Sequence, residues 1–141
     1  MGVFGGFLLI AVLWRIIRRV VVNRSLRLAS IEAPTLKELL ESAHPPMVID
    51  IRSEIERRRD SRTIPGAISL DAEQWEREAL HFPEDRMIVV YCACSNEGDS
   101  VRCARMALNL GIKNIHPLKG GWKSWLQTEM PFEKGEKSIT S

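Results

Sequence analysis

Hydrophobic and polar positions follow two regimes along this chain. Gly2 to Trp14 is apolar without a break, then come Arg15-Ile16-Ile17-Arg18-Arg19 and Val20-Val21-Val22. Thirteen apolar residues in a helix cover roughly 20 Å, short of the roughly 30 Å hydrocarbon core of a bilayer. Continuing to Val22 reaches that thickness if the three arginines snorkel or face other protein. A signal peptide fits poorly, because the charges follow the apolar stretch and no small-x-small cleavage site is apparent. Gly5-Gly6 among continuous apolar residues argues against an amphipathic soluble helix. Residues 1–28 are therefore expected to be a membrane-anchor-like helix with a basic exit. It would meet the membrane through residues 2–22 and place the C-terminal domain in the cytoplasm by the positive-inside rule. So short a span would also gain from a helix–helix partner in the membrane.

After Ser30 the pattern becomes that of a globular domain, expected over residues 29–133, with a flexible tail at 134–141. Thr35-Leu36-Lys37-Glu38 has the form of a capping box and predicts a helix from Thr35 to about Ala43, closed by Pro45-Pro46. Met47-Val48-Ile49-Asp50-Ile51 is a short apolar run of the kind buried in parallel sheets. A charged helix follows from Glu54 to Asp60. Ile64-Pro65-Gly66-Ala67 then makes a turn into a strand at Ala67 to Leu70. Asp71-Ala72-Glu73-Gln74 starts a helix that ends before Pro83. Met87 to Cys92 is the most apolar β-branched run and is expected to be the central strand. Ser100 to Leu110 predicts a helix stopped by Gly111, Ile112 to Ile115 a last strand, and Gly120-Gly121 the entry to a helix bearing Trp122 and Trp125. Beyond Pro131 the chain is polar and expected to fray. Strands alternating with helices imply an α/β three-layer sandwich on a parallel central sheet, preceded by the N-terminal apolar helix.

Charge sharpens this division. Residues 1–30 hold five arginines and no acid, whereas the rest holds 15 basic and 18 acidic groups. The domain is thus mildly acidic and lacks the clustered basic face that nucleic acid requires. Three cysteines, two of them in Cys92-Ala93-Cys94, are not the even framework of a secreted disulfide scaffold. They suggest a reducing compartment in which thiols are available for chemistry. His44, His81 and His116 show no ligand spacing, so no metal or cofactor is expected.

In parallel α/β sheets, ligands bind at the carboxyl ends of the strands, where loops lead into helix N-termini. The segment from Tyr91 through Cys92, Cys94, Ser95, Asn96, Glu97, Gly98 and Asp99 to Ser100 occupies that position. Gly98 permits a tight loop whose N–H groups converge on one centre. A thiolate there gains from those donors and from the helix dipole, which lowers its pKa. Cys103 falls within the helix and reads as a packing residue. Asp50 and Arg52 read as a supporting pair, Arg52 joining Asp50 or Glu54 to fix the loop beside the site. Trp122 and Trp125 read as packing residues, and Arg57-Arg58-Arg59 as a solvated helix face.

Four motifs in order, Val48-Ile49-Asp50-Ile51-Arg52, Ile64-Pro65-Gly66-Ala67, Val89-Val90-Tyr91-Cys92 and Leu118-Lys119-Gly120-Gly121-Trp122, resemble the rhodanese superfamily of single-domain sulfurtransferases. The Cys92-Ala93-Cys94-Ser95-Asn96-Glu97 loop is similar to the variant fused behind the last transmembrane helix of DedA-type membrane proteins. The resemblance implies transfer of sulfane sulfur through a cysteine persulfide, from thiosulfate or a persulfide donor to a thiol or cyanide acceptor, without a cofactor. Rhodanese-like loops place six residues, cysteine included, before the helix. Counting back from Ser100 selects Cys94 as the carrier, whereas counting from the strand end selects Cys92. Cys94 is preferred, with Cys92 either a resolving thiol or a residue of the sheet core. Ser95, Asn96, Glu97, Gly98, Asp99, Ser100 and Arg102 then form the substrate-binding loop and its flank. Glu97 and Asp99 stand where many active loops carry a basic residue, and two carboxylates repel thiosulfate and raise a thiolate pKa. The histidine frequent before the Ile-Pro-Gly-Ala turn is replaced by Arg62-Thr63.

A related cysteine phosphatase needs an arginine six residues after the cysteine, but positions 98 and 100 are Gly and Ser. Two other functions remain open. One is a non-catalytic rhodanese-like binding module, and the other is a redox sensor cycling Cys92 and Cys94.

Overall fold

The computed structural model describes residues 3–93, 98–129 and 131–134. A long helix, α1 (Val3–Leu28), precedes α2 (Ala33–Leu40). Then come β1 (Met47–Asp50), α3 (Glu54–Arg59), β2 (Arg62–Thr63), β3 (Ile68–Ser69) and α4 (Ala72–Glu78), which runs into a single 3-10 turn at Ala79–His81. The chain continues through β4 (Ile88–Tyr91), α5 (Gly98–Asn109), β5 (Ile115–Pro117), α6 (Gly121–Gln127) and β6 (Glu133–Lys134).

The central sheet has the order β3-β1-β4-β5, with every pairing parallel. All four residues of β4 are buried, as a strand covered on both faces requires. Alternation along β1 and β4 sends Ile49, Ile88 and Val90 to one face, with Leu70, Trp75, Val101, Ala104 and Ala107. Val48, Val89 and Tyr91 go to the other, with Leu36, Leu118, Trp122 and Trp125. Helices α4 and α5 thus cover one face and α2 and α6 the other, which is the three-layer arrangement expected.

Local chemistry explains most boundaries. Capping boxes start α3, where Ser53 and Glu56 exchange hydrogen bonds, and α4, where Asp71 and Gln74 do the same. The capping box expected at Thr35 and Glu38 does not start α2. That helix begins earlier, at Ala33, with Pro34 in the first turn, where its missing N–H costs nothing. It ends at Leu40, short of Ala43, and the Ser42 hydroxyl donates to the Leu39 carbonyl at 2.6 Å.

The last strand of the central sheet is also displaced from its expected place. Gly111, at φ 94°, lets the Ile112 N–H donate to the Ala107 carbonyl at 3.1 Å and its own N–H to Leu108 at 3.1 Å. This Schellman closure of α5 uses Ile112 as a cap residue, so pairing starts only at Ile115. A two-stranded antiparallel pair was not foreseen. Arg62 and Thr63 of β2 pair with Lys134 and Glu133 of β6, so the polar stretch after Pro131 is regular as far as Lys134.

The C-terminal part of α1 lies on the domain, packing mainly on α5 and touching β5. Val22 packs against the core, Arg105 donates to Asn23 Oδ1 at 2.8 Å, and the Ala29 carbonyl lies 2.8 Å from His116 Nδ1. Further toward the N-terminus, Phe7 to Ile10, Val12 to Trp14, Ile16, Ile17, Val20 and Val21 are exposed. Among the described residues no helix is long and apolar enough to cross a membrane. Arg15, Arg18 and Arg19 interrupt any stretch of α1 long enough to span, so a spanning anchor is not supported.

Candidate active site

Strand β4 delivers its carboxyl end to the middle of the sheet, between β1 and β5. Cys92, the next residue, is 1% exposed. Its carbonyl accepts from the Trp122 N–H at 2.8 Å, and its Sγ lies 3.8 Å from the buried Ser100 Oγ. Cys94, Ser95, Asn96 and Glu97 lie outside the described residues. Helix α5 resumes the described chain at Gly98, two residues before the expected start at Ser100, with Gly98 and Asp99 exposed and Ser100 buried. Six residues counted back from Gly98 reach Cys92, so the loop count that selected Cys94 does not hold. Across its first turn, Asp99 and Arg102 approach to 3.8 Å.

A groove of about 340 Å³ opens where α5 begins and where β1 and β3 end. Glu54, Glu56, Asp71 and Asp99 line it, with Arg52 and Arg102 as the cations. The structure therefore brings Asp50, Arg52, Cys92, Asp99, Ser100 and Arg102 to one end of the sheet, as expected for a site at strand carboxyl ends.

Arg52 organises the loop that follows β1. It is 1% exposed, and Asp50 is fully buried. The guanidinium meets the carboxylate through Nε at 3.1 Å to both oxygens and through Nη2 at 2.8 Å. It also donates to the carbonyls of Asp60 at 3.1 Å and Arg62 at 2.7 Å. Burial works against its charge, but the hydrogen bonds and charge of Asp50 outweigh it, and its pKa ends raised. The guanidinium lies 4.7 Å from the Trp122 ring centroid, and Trp122 stacks on Tyr91 at 5.8 Å. Burial, and then the charge of Asp50, pushes the Tyr91 phenol well up, so it stays neutral.

A second acid–arginine pair extends this network. Arg62 meets Asp60 through two bonds of 2.8 Å, and Trp122 Nε1 donates to Asp60 at 3.0 Å. Hydrogen bonding from Arg62 holds the Asp60 carboxyl well below the usual range, against an opposing contribution from burial. Trp122 thus ties the base of the cysteine loop to both pairs. Sequence reasoning left Asp50 and Glu54 open as the partner of Arg52, and the structure selects Asp50; it missed Asp60, Arg62 and the polar role of Trp122. A signal was available: Asp60-x-Arg62 repeats the spacing of Asp50-x-Arg52.

Cys103 is buried on α5, and burial pushes its thiol up to about 12, with the charge of Arg102 opposing. Such a thiol is a packing group. Among the described residues, no group of three or more His, Cys, Asp and Glu side chains is placed to hold a metal ion.

Residues 32–128 match the rhodanese-like domain. The chain belongs to the rhodanese-like family. All four motifs that suggested it lie inside the match, as β1 with its exit, the turn before β3, β4 with its exit, and the turn into α6. Solved structures agree in fold. A protein of unknown function from Rhodopseudomonas palustris, described as a possible tyrosine phosphatase, is 27% identical with a TM-score of 0.69, over 82% of this chain and 90% of that one. The human single-domain sulfurtransferase is 24% identical with a TM-score of 0.60, over 72% of this chain and 97% of that one. The rhodanese-like domain of an Anabaena protein is 24% identical with a TM-score of 0.63, over 79% of this chain and 83% of that one. No curated protein matches this sequence. In this rhodanese-like chain, both described cysteines are withdrawn into the core, and the groove beside the loop is predominantly acidic.

Proposed function

We propose that this rhodanese-like chain is a sulfurtransferase that carries sulfane sulfur on Cys94. The observation that supports this most is the burial of Cys92 and Cys103, which leaves the chemistry of a cysteine-led loop to Cys94. The Cys94 thiolate attacks the outer sulfur of a donor persulfide. The donor S–S bond breaks, the donor leaves as a thiolate, and Cys94 holds the sulfur as a persulfide. An acceptor thiolate or cyanide then takes that sulfur and returns Cys94 as a thiolate, with no net oxidation. Ser95, Asn96, Glu97, Gly98, Asp99 and Ser100 form the loop that receives the donor, with Arg102 beside it. Cys92 serves as the inner wall of the site.

The acidic groove favours a thiol persulfide over thiosulfate, because a dianion must pass Glu54, Glu56, Asp71 and Asp99. The same groove is what favours a non-catalytic binding module as the second reading. A redox sensor would require the Cys92 thiol to leave the core and close a strained ring with Cys94. The exposed apolar side chains of α1 support placement of the domain at a membrane surface, without spanning.

Mass measurement on the full chain tests the reading, after exposure to glutathione persulfide and, separately, to thiosulfate. A gain of one sulfur, removable by cyanide, is expected in the wild type and in Cys92→Ser but not in Cys94→Ser. Loss only in Cys92→Ser would move the carrier to Cys92. No uptake from either donor would favour the binding module.

A further inference from the structure

Helices α1 and α5 flank a groove of about 660 Å³, which shares no lining residue with the acidic one. Arg15, Arg18 and Arg19 of α1 and Arg105 of α5 line it, together with Ile16 and Val22, and among the described residues no carboxylate does. The bond from Arg105 to Asn23 at 2.8 Å holds the α5 guanidinium against α1. Burial, and then repulsion from Arg19 and Arg102, lowers the Arg105 pKa. A cluster of like charges facing one cavity is unfavourable until an anion joins it, and guanidinium groups match phosphate oxygens in geometry.

What adjoins the groove selects the kind of anion. From Trp14 back to Phe7 the surface of α1 is apolar and exposed, Phe7 at 71% and Trp14 at 61%. That stretch extends roughly 10 Å at 1.5 Å per residue. Trp14 sits at the boundary, with the Arg18 guanidinium 5.4 Å from its ring centroid. A free anion would satisfy the arginines and leave the apolar surface in water. A phospholipid satisfies both, its phosphate among the guanidinium groups and its acyl chains along α1, with an indole at the interface.

We propose that the α1–α5 groove is a binding site for the headgroup of an anionic phospholipid. The site rests on the membrane-surface part of the reading above and is independent of sulfur transfer. Occupancy would fix α5, the helix that carries Asp99, Ser100 and Arg102, relative to the lipid surface.

The test uses the full chain in nonionic detergent, titrated with phosphatidylglycerol or with phosphatidylcholine of the same acyl chains and read by native mass spectrometry. Retention of phosphatidylglycerol should exceed that of phosphatidylcholine at least tenfold. Arg19→Gln/Arg105→Gln should weaken phosphatidylglycerol binding about thirtyfold. Arg19→Gln alone, at an exposed position, should show part of that loss with the helical circular dichroism unchanged. Arg58→Gln, on exposed α3 and outside the groove, should show none. Equal retention of the two lipids, an unaltered preference in the double variant, or an equal loss in Arg58→Gln would overturn the site. So would complete displacement of the lipid by an equal concentration of inorganic phosphate, which would assign the groove to a free anion. Flotation with vesicles separates this failure from that of the broader reading. A chain that floats with neutral and anionic vesicles alike keeps membrane association and loses the pocket. A chain that floats with neither loses both.

Discussion

Replacing Arg52 with methionine keeps an unbranched apolar stem and removes the guanidinium. The Asp50 carboxylate, fully buried, then loses three contacts of 2.8–3.1 Å and retains the Arg52 main-chain N–H at 2.9 Å. The carbonyls of Asp60 and Arg62 lose their donors as well. Removing one member of a buried ion pair costs about 3–5 kcal/mol, because the other charge is left uncompensated. That is a large share of the roughly 5–15 kcal/mol that holds a domain together. The magnitude rests on the stranded charge, so neutralising it must recover part of the loss. Arg52→Met/Asp50→Asn is expected to be about 1–2 kcal/mol more stable than Arg52→Met alone. Urea unfolding of the full chain in mild detergent, followed by the fluorescence of buried Trp75, Trp122 and Trp125, measures all three proteins. A loss below about 1 kcal/mol in Arg52→Met, or a double variant no more stable than Arg52→Met, would refute the reasoning.

Three further outcomes are expected from the same geometry. Gly120 caps α6 at φ 73°, and a Cβ there would lie 2.7 Å from Ser124 Cβ, so Gly120→Ala should cost about 1–3 kcal/mol in the same unfolding assay; an unchanged midpoint would contradict the strain. The lowered Asp60 carboxyl contributes stability that is complete above the unfolded value near about 4 and is lost as pH falls toward the folded value. Asp60→Asn should therefore be less stable than wild type at neutral pH and converge with it in acid; parallel acid limbs would refute this. Cys103, its thiol pushed up to about 12, should resist iodoacetamide at pH about 8 in the native chain and react once unfolded. Equal labelling rates in the two states would show that burial does not protect it.

Much of the fold was legible because its decisive segments are local. Runs such as Met47-Val48-Ile49 and Val89-Val90-Tyr91 are too apolar and too β-branched to be anything but buried strands, and their alternation with helices forces parallel pairing. Asp50 and Arg52 are two residues apart, and so their pairing could be anticipated. The position of a cysteine loop between a central strand and a helix is set by topology alone.

Tertiary structure decided what depends on partners distant in sequence. A strand buried on both faces gives no clue to which way its last residue turns, and only the approach of Ser100 and Trp122 sets Cys92 inward. Strands β2 and β6 have two residues each and no periodicity, and pair across about seventy positions. Trp122 read as packing because its Nε1–H meets Asp60 from 62 residues away. The same holds for α1. Its composition marks it as apolar and basic, but Val22 and Asn23 meet the domain only once α5 is in place, and that docking aligns four arginines from two helices on one groove. Short-range patterns determine elements because neighbouring side chains share one backbone period. Sites form where those elements converge, and that convergence is a property of the packed chain.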